Sequence, residues 1–237
     1  MKLRLASARC CCGPTTVPCD PISGVTDSFA SLVAADGGGG WVWSVPVGMT
    51  PTIQPAGTLL LDYDPVTIGT PVTFSRCSQW SASLASLRYD LSGSWTSAGY
   101  EESDGLMTGL TLNAAFLSGS TVTRAVEHRL RWQTGTGWRH QLSLLPNTAS
   151  ETNAFVGATI QAARTPAPVG PFSVTIALEL INVSGTWQAR SYWSGSLVSS
   201  VSIAAPAVSG SEFQHGFALG FSVAEASIDS WQYAATI

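Results

Sequence analysis

The stretch Phe172–Trp193, FSVTIALELINVSGTWQARSYW, contains the clearest alternation of apolar and polar residues in this chain. Every second residue from Phe172 to Leu180 is apolar, and the residues between them include Thr175 and Glu179. A period of two is typical of a β-strand that buries one of its faces. The stretch therefore begins with a predicted strand that lies on a core.

A second strand is predicted to return beside the first. The segment Asn182–Gly185 is rich in residues that tolerate tight turns. After it, Trp187, Ala189, Ser191 and Trp193 occupy alternate positions. This pattern predicts a β-hairpin in an antiparallel sheet.

Short alternating segments, separated by turn residues, recur along the chain. They predict further strands at 41–45, 58–63, 72–76, 87–91, 106–113, 121–132, 138–145, 155–161, 197–203, 217–223 and 228–233. Ser92 and Gly93 are predicted to turn the chain after the strand at 87–91. No segment of about ten residues or more has a helical period, so the predicted fold class is all-β, an antiparallel two-sheet jelly-roll sandwich.

The N-terminal segment differs from the rest of the chain. Residues 1–25 are rich in Cys, Pro and Thr and have no clear period, so we expect an irregular arm before a sandwich domain at 26–237. The segment lacks the apolar core of a signal peptide, and we expect it to be retained. No run approaches the ~20 apolar residues of a membrane span, so we predict no membrane partner.

Composition narrows the range of partners. Only 11% of the residues are charged and the formal net charge is −4, which argues against nucleic acid as a partner. A surface that is polar mainly through hydroxyl and amide groups suits a virion, extracellular or cell-surface protein. The local basic cluster is interleaved with strand positions and is predicted to be a solvated strand face; it consists of Arg124, Arg129, Arg131 and Arg139.

Three sequence pieces resemble the concanavalin A-like lectin and glucanase jelly roll, which includes laminin G-like domains. They are TDSF at 26–29, SYWSGSLVSSV at 191–201 and FALGFSVAEASIDSWQY at 217–233. The resemblance implies this jelly roll for residues 26–237. The arm, with its CCCG at 10–13, resembles proteins of tailed bacteriophages and some environmental bacteria, which implies a virion or surface component.

Glycoside hydrolysis would require two carboxylates placed across one sugar. The glucanase motif Glu-x-Asp-x-x-Glu is matched in part by Glu102 and Asp104, but Met107 replaces the final carboxylate. The histidines His128, His140 and His215 match no catalytic or zinc spacing. We therefore predict no catalytic residue and a protein that is not an enzyme.

Calcium is a cofactor for which the sequence offers candidate carboxylates. Asp62 and Asp64 lie two residues apart, hence on one strand face, and Asp104 or Asp229 would have to join them in space. A capped strand end explains the same residues. We expect no resident cofactor.

Four cysteines lie in the arm, and with nearby basic residues they form the predicted assembly arm. Its members are Lys2, Arg4, Arg9, Cys10, Cys11, Cys12 and Cys19. Zinc binding, disulfides within the arm or to another chain, and free thiols are the alternatives for these cysteines. Cys77 is isolated in the sequence and is predicted to be a small buried hydrophobe.

Aromatic side chains could stack on sugar rings. Of the nine Trp, those at alternating strand positions are predicted to lie in the core. Trp95 and Trp138, beside predicted turns, and Tyr192 are the candidate carbohydrate-binding residues.

The leading hypothesis is a non-enzymatic structural or decoration protein of a virion, in which the arm docks onto neighbouring subunits. Its partners would be other virion subunits and copies of itself in a homo-oligomer. The alternative is a carbohydrate-binding module of a phage fibre or bacterial surface protein, with a glycan as partner. A degenerate glucanase is a third hypothesis.

Overall fold

A computed structural model describes residues 20–21, 25–27, 42–44, 50–53, 58–62, 72–81, 83–97, 106–118, 121–133, 137–145, 155–161, 172–203, 212–219 and 223–237. These residues form β-strands and connecting turns, and no membrane-spanning helix is found among them. Numbered β1 to β16 in chain order, the strands are Asp20–Pro21, Val25–Asp27, Val42–Ser44, Thr50–Ile53, Leu59–Asp62, Val72–Gln79, Ser86–Ser97, Leu106–Ser118, Thr121–Gln133, Gly137–Leu145, Phe155–Gln161, Phe172–Val183, Thr186–Trp193, Ser196–Ile203, Glu212–Leu219 and Val223–Thr236.

The strands form two sheets. The first sheet has the order β1-β6-β15-β8-β9-β10-β11, and β3 also pairs with β6. The second has the order β14-β13-β12-β7-β16-β5-β4, and β2 also pairs with β16. The described pairs are antiparallel except for β1 and β6, which run parallel. The predicted all-β sandwich is therefore confirmed, and β1 lies within the segment predicted to be the arm.

The inner faces of the two sheets supply the core. Phe74 of β6 stacks on Phe217 of β15, with ring centroids 4.7 Å apart. The ring centroids of Tyr89 of β7 and Trp231 of β16 are 6.2 Å apart. The largest fully buried side chains are Trp231, Tyr89, Phe74, Phe217, Leu59 and Leu87. Burying each such side chain stabilises the fold by about 1.5–3 kcal/mol, so these faces hold the sandwich together.

A histidine joins the two sheets inside this core. His128 of β9 is 0% exposed, and its Nδ1 lies 3.1 Å from the backbone oxygen of Ala177 in β12. Because a carbonyl oxygen only accepts, Nδ1 carries the proton and donates it. His128 thus has a structural role that its sequence context did not predict.

The hairpin predicted from the opening stretch is present. β12 pairs with β13 from Ile176↔Trp193 to Val183↔Thr186. Ser184 and Gly185 have φ values of 52° and 88°, the positive values that two-residue hairpin turns require. The Asn182 side chain accepts a hydrogen bond from the Gly185 N–H at 2.8 Å, which stabilises the turn.

The predicted turn at Ser92 and Gly93 is wrong. β7 continues through both residues to Ser97, and Gly93 pairs with Val174 and Ile228 on its two sides. A Cβ at Gly93 would lie 3.0 Å from Ile228 Cα and would also crowd the Ser227 carbonyl oxygen. The glycine is therefore needed for the close approach of β16 and not for a turn.

The strand limits near the C-terminus also differ from the prediction. In place of strands at 217–223 and 228–233, the structure has Glu212–Leu219 and Val223–Thr236. β16 is long because it pairs with β7 over most of its length and with β5 and β2 on its other side.

Replacing Gly93 with Ala should lower the free energy of unfolding by about 1–3 kcal/mol, because the new methyl group clashes with β16 backbone. Gly185→Asn is the control, since nothing lies within 4 Å of its Cβ position and Asn tolerates positive φ. Urea unfolding would measure both. Equal losses in the two variants would contradict the packing role of Gly93.

Candidate functional site

Many of the residues predicted to carry function lie outside the described residues. These are Lys2, Arg4, Arg9, Cys10, Cys11, Cys12, Cys19, Asp64, Glu102 and Asp104. Asp62 ends β5 and pairs with Thr50 and Glu225. No group of three potential metal ligands occurs in the part of the chain that the structure describes.

The candidate carbohydrate-binding residues lie on three different strands. Trp95 belongs to β7, where it pairs with Phe172, and Trp138 belongs to β10, where it pairs with Trp132. The turn predicted beside Trp95 at Ser92 and Gly93 is absent, because β7 continues through both residues. Tyr192 of β13 is half-buried on the outer face of the second sheet.

Strand register brings charged residues from three strands into one row on that outer face. Glu179 of β12 pairs with Arg88 of β7 on one side and with Arg190 of β13 on the other. Their side chains point away from the core because the neighbouring positions, such as Leu178 and Leu180, are fully buried. The row lies at the centre of the sheet.

Arg88 is held by Asp90 of the same strand. Its Nε lies 3.0 Å from Asp90 Oδ2, and its second terminal nitrogen lies 2.9 Å from Oδ1. These hydrogen bonds raise the pKa of Arg88 above its ordinary value, so the guanidinium stays charged. A two-point contact of this kind fixes the plane of the guanidinium.

Tyr192 connects Arg88 to the other charged residues. The Arg88 Cζ lies 4.3 Å from the centroid of the Tyr192 ring, a cation–π contact. The Tyr192 hydroxyl donates to Glu179 Oε2 at 2.5 Å. Ala177, between Tyr192 and Asp90 in register, has a side chain short enough to be covered by these neighbours and is 2% exposed.

Arg190 completes the arrangement on the far side of Glu179. One terminal nitrogen lies 3.8 Å from Glu179 Oε2, and Nε donates to Gln188 Oε1 at 3.1 Å. Ser200 of β14 also donates to Gln188, at 3.4 Å. We call Arg88, Asp90, Glu179, Gln188, Arg190 and Tyr192 the outer patch.

The outer patch is balanced in charge and partly open to solvent. Its two guanidinium charges cancel its two carboxylate charges. The side chains of Arg88 and Asp90 are 32% and 24% exposed, and those of Arg190 and Glu179 are 25% and 14% exposed. Such a surface presents many hydrogen-bond donors and acceptors in fixed positions and carries no net charge.

Beside the outer patch, hydroxyl groups continue the polar surface. Ser92 of β7 and Ser230 of β16 share a hydrogen bond of 2.8 Å. Exposed Thr175 of β12 pairs with Ser92. The polar surface therefore extends over β12, β7 and β16.

The first sheet carries a different charged pair. Glu127 and Arg129 of β9 form an ion pair, and their side chains are only 11% and 17% exposed. The prediction that Arg129 belongs to a solvated strand face is therefore wrong at this position, since the pair is largely shielded from water. Sequence reasoning did not single out Glu127.

The prediction that Cys77 is a small buried hydrophobe is wrong as well. Cys77 is half-buried and is disulfide-bonded. Isolation of a cysteine in the sequence carries no information about its partner, because chain reversal in a sandwich brings distant residues together.

No protein-family model matches the chain, and no curated protein does so either. Solved structures do match. The carbohydrate recognition domain of Emp46p, in a potassium-bound form, has 12% identity and a TM-score of 0.51, over 82% of this chain and 88% of that one. A native glycosidic hydrolase has 9% identity and a TM-score of 0.50, over 91% of this chain and 97% of that one. The fold is a concanavalin A-like jelly roll.

A Bacillus licheniformis β-glucanase has 9% identity and a TM-score of 0.48, over 90% of this chain and 98% of that one. At such identities a structural likeness shows the fold alone, and the outer patch must be interpreted from its own geometry.

The prediction that the chain is not an enzyme is contradicted by the native glycosidic hydrolase, an enzyme that has this fold. The native glycosidic hydrolase has the same jelly roll along nearly its whole length. The prediction rests on the final carboxylate that is missing after Glu102 and Asp104 and on the spacing of the histidines. Neither pattern tests the other faces of the sandwich.

The Tyr192 hydroxyl gives a pH-dependent contribution to stability. Desolvation, and then the hydrogen bond to Glu179, raise the pKa of Tyr192 above 10.0. A raised pKa in the folded state means that the stabilisation is present below the unfolded pKa and is lost as the pH rises through the folded one.

Tyr192→Phe should therefore lower the free energy of unfolding near pH 7 by about 1 kcal/mol, the usual net value of one hydrogen bond at a partly exposed site. The difference between wild type and variant should shrink as the pH rises above 10. Urea unfolding at both pH values would measure it. A difference that stays constant with pH would show that ionisation of the phenol does not affect this contribution to stability.

Proposed function

We propose that this chain is a carbohydrate-binding protein whose outer patch holds a neutral glycan against the second sheet. The observation that carries the proposal is the charge-balanced set of planar polar groups at Arg88, Asp90, Glu179 and Arg190, all fixed by mutual contacts. Carbohydrate recognition is also what the similar domain of Emp46p is named for.

The groups of the outer patch suit pairs of sugar hydroxyls. A guanidinium has five N–H donors and a carboxylate has about four acceptor positions, so each keeps capacity beyond its internal contacts. Neighbouring hydroxyls on a sugar ring can donate to a carboxylate and accept from a guanidinium at the same time. The exposed fractions of Arg88 and Asp90 leave both groups accessible to such a ligand.

Preorganisation supports the same conclusion. Because Tyr192 and Asp90 hold Arg88 on two sides, the guanidinium does not have to lose much rotamer freedom on binding. Arg88 occupies one face of the Tyr192 ring, so the role of Tyr192 is to position the guanidinium and Glu179. This differs from the exposed sugar platform expected from the sequence.

The charge balance favours a neutral ligand. A clustered positive surface would attract phosphate or uronate groups, whereas here each guanidinium has a carboxylate in contact. The formal net charge of −4 also disfavours an anionic ligand.

Affinity electrophoresis in gels that contain β-glucan, mannan or galactomannan, with alginate as an acidic contrast, would test the proposal. Wild type should be retarded by at least one neutral polysaccharide, and Glu179→Gln should weaken that binding by about tenfold, since hydrogen bonds to charged groups contribute about 1.5–3 kcal/mol. Release of reducing ends in the same mixtures would detect hydrolysis.

Glu127→Gln is the matched control, because it makes the same exchange in an ion pair of the other sheet. It should leave retardation unchanged. Loss of binding in Glu127→Gln but not in Glu179→Gln would place the ligand on the first sheet and would overturn the proposal. Retardation by alginate alone would contradict the charge argument.

Assembly into a virion, with the arm docked on neighbouring subunits or copies of the chain, is a second candidate. Its support is the cysteine-rich arm and the likeness of that arm to phage-encoded proteins. Location in a virion, or at a cell surface, belongs to the same proposal. Recovery of the chain in purified particles, and its absence from the surrounding medium, would be the expected result.

A further inference from the structure

The disulfide at Cys77 must involve the predicted arm. Cys77 belongs to β6 in the first sheet. The other cysteines in the sequence are Cys10, Cys11, Cys12 and Cys19. A bond within this chain therefore joins β6 to one of four residues that all precede β1.

Strand register distinguishes among the four. β1 runs parallel to β6, with Asp20 opposite Ser78 and Pro21 opposite Gln79. One step back along both parallel strands leads from Asp20 to Cys19 and from Ser78 to Cys77. Directly opposed residues on adjacent strands lie about 4.7–4.9 Å apart, within the Cα separation of about 4.4–6.8 Å that disulfides require.

The geometry points to a Cys19–Cys77 disulfide that fastens the arm to the edge of the first sheet. Cys19 directly precedes β1, and extending the β1–β6 register by one residue brings Cys19 opposite Cys77. Cys10, Cys11 and Cys12 are separated from β1 by the segment 13–19, so the register of β1 with β6 does not extend to them by a single step.

Bond formation converts two thiols to one disulfide. The two thiols lose two protons and two electrons, which pass by thiol–disulfide exchange to an oxidised partner such as glutathione disulfide or a disulfide oxidoreductase. Disulfides of this structural kind persist in oxidising compartments. The Cys19–Cys77 disulfide therefore suits a protein that functions outside the reducing cytosol, whichever ligand the outer patch binds.

The decisive variant combines Cys10→Ser, Cys11→Ser and Cys12→Ser, so that Cys19 and Cys77 are the two remaining cysteines. After folding under an oxidised glutathione buffer and denaturation without reductant, this variant should show no thiol that reacts with a thiol reagent. Two reactive thiols per chain would overturn the proposal.

Peptide mapping gives an independent readout on the full chain. Trypsin should cut after Arg9, Arg76 and Arg88, which places Cys77 at the start of peptide 77–88 and the four other cysteines in peptide 10–76. Without reductant, peptide 77–88 should remain linked in wild type and in the triple variant. It should be free in Cys19→Ser, and a persistent link there would overturn the assignment.

Thermal unfolding tests the effect on the domain. Reductant should lower the melting temperature of wild type and of the triple variant by about 10 °C, the shift expected when a long loop is released in a chain of this size. Cys19→Ser with Cys77→Ser is the control and should melt at one temperature with or without reductant. An equal shift of the melting temperature in that control would contradict the Cys19–Cys77 disulfide.

Discussion

The register of β12 between β7 and β13 is the constraint on which both the core and the outer patch depend. In this register Leu178 faces the core together with Tyr89 of β7, while the next residue, Glu179, faces outward between Arg88 and Arg190. A slip of one residue would exchange the two faces. The burial of apolar side chains opposes such a slip, so the position of each charge in the outer patch follows from the packing beneath it.

The polar contacts of the outer patch contribute little to folding by comparison. Partly exposed ion pairs are worth about 0–1 kcal/mol each, whereas a buried leucine contributes about 1.5–3 kcal/mol. What the contacts change is the freedom of the side chains. Asp90 and Tyr192 hold the Arg88 guanidinium in one plane, and Glu179 holds the phenol of Tyr192. The result is a preformed surface rather than a stabilising one.

Part of the predicted arm pairs with the sandwich itself. The sequence suggested a segment that reaches toward neighbouring subunits, whereas β1 pairs with β6 of its own domain and Cys77 is disulfide-bonded. A covalent attachment of this kind would make residues near β1 part of the sandwich edge. It would leave Cys10, Cys11 and Cys12 as the part of the arm available for other contacts.

The sequence by itself determined the all-β class, the β12–β13 hairpin and the approximate positions of many strands, because a period of two reports the local geometry of a strand with one buried face. It did not determine the role of Gly93, since a glycine in a turn and a glycine packed closely against a paired strand look alike until β16 is in place. Tyr192 was identified, and Glu179 lies on the other strand of the predicted hairpin, but Arg88 lies on β7, far from both in the chain. Only the tertiary structure decided which charges meet, because strand order and register are set by burial across the whole sandwich.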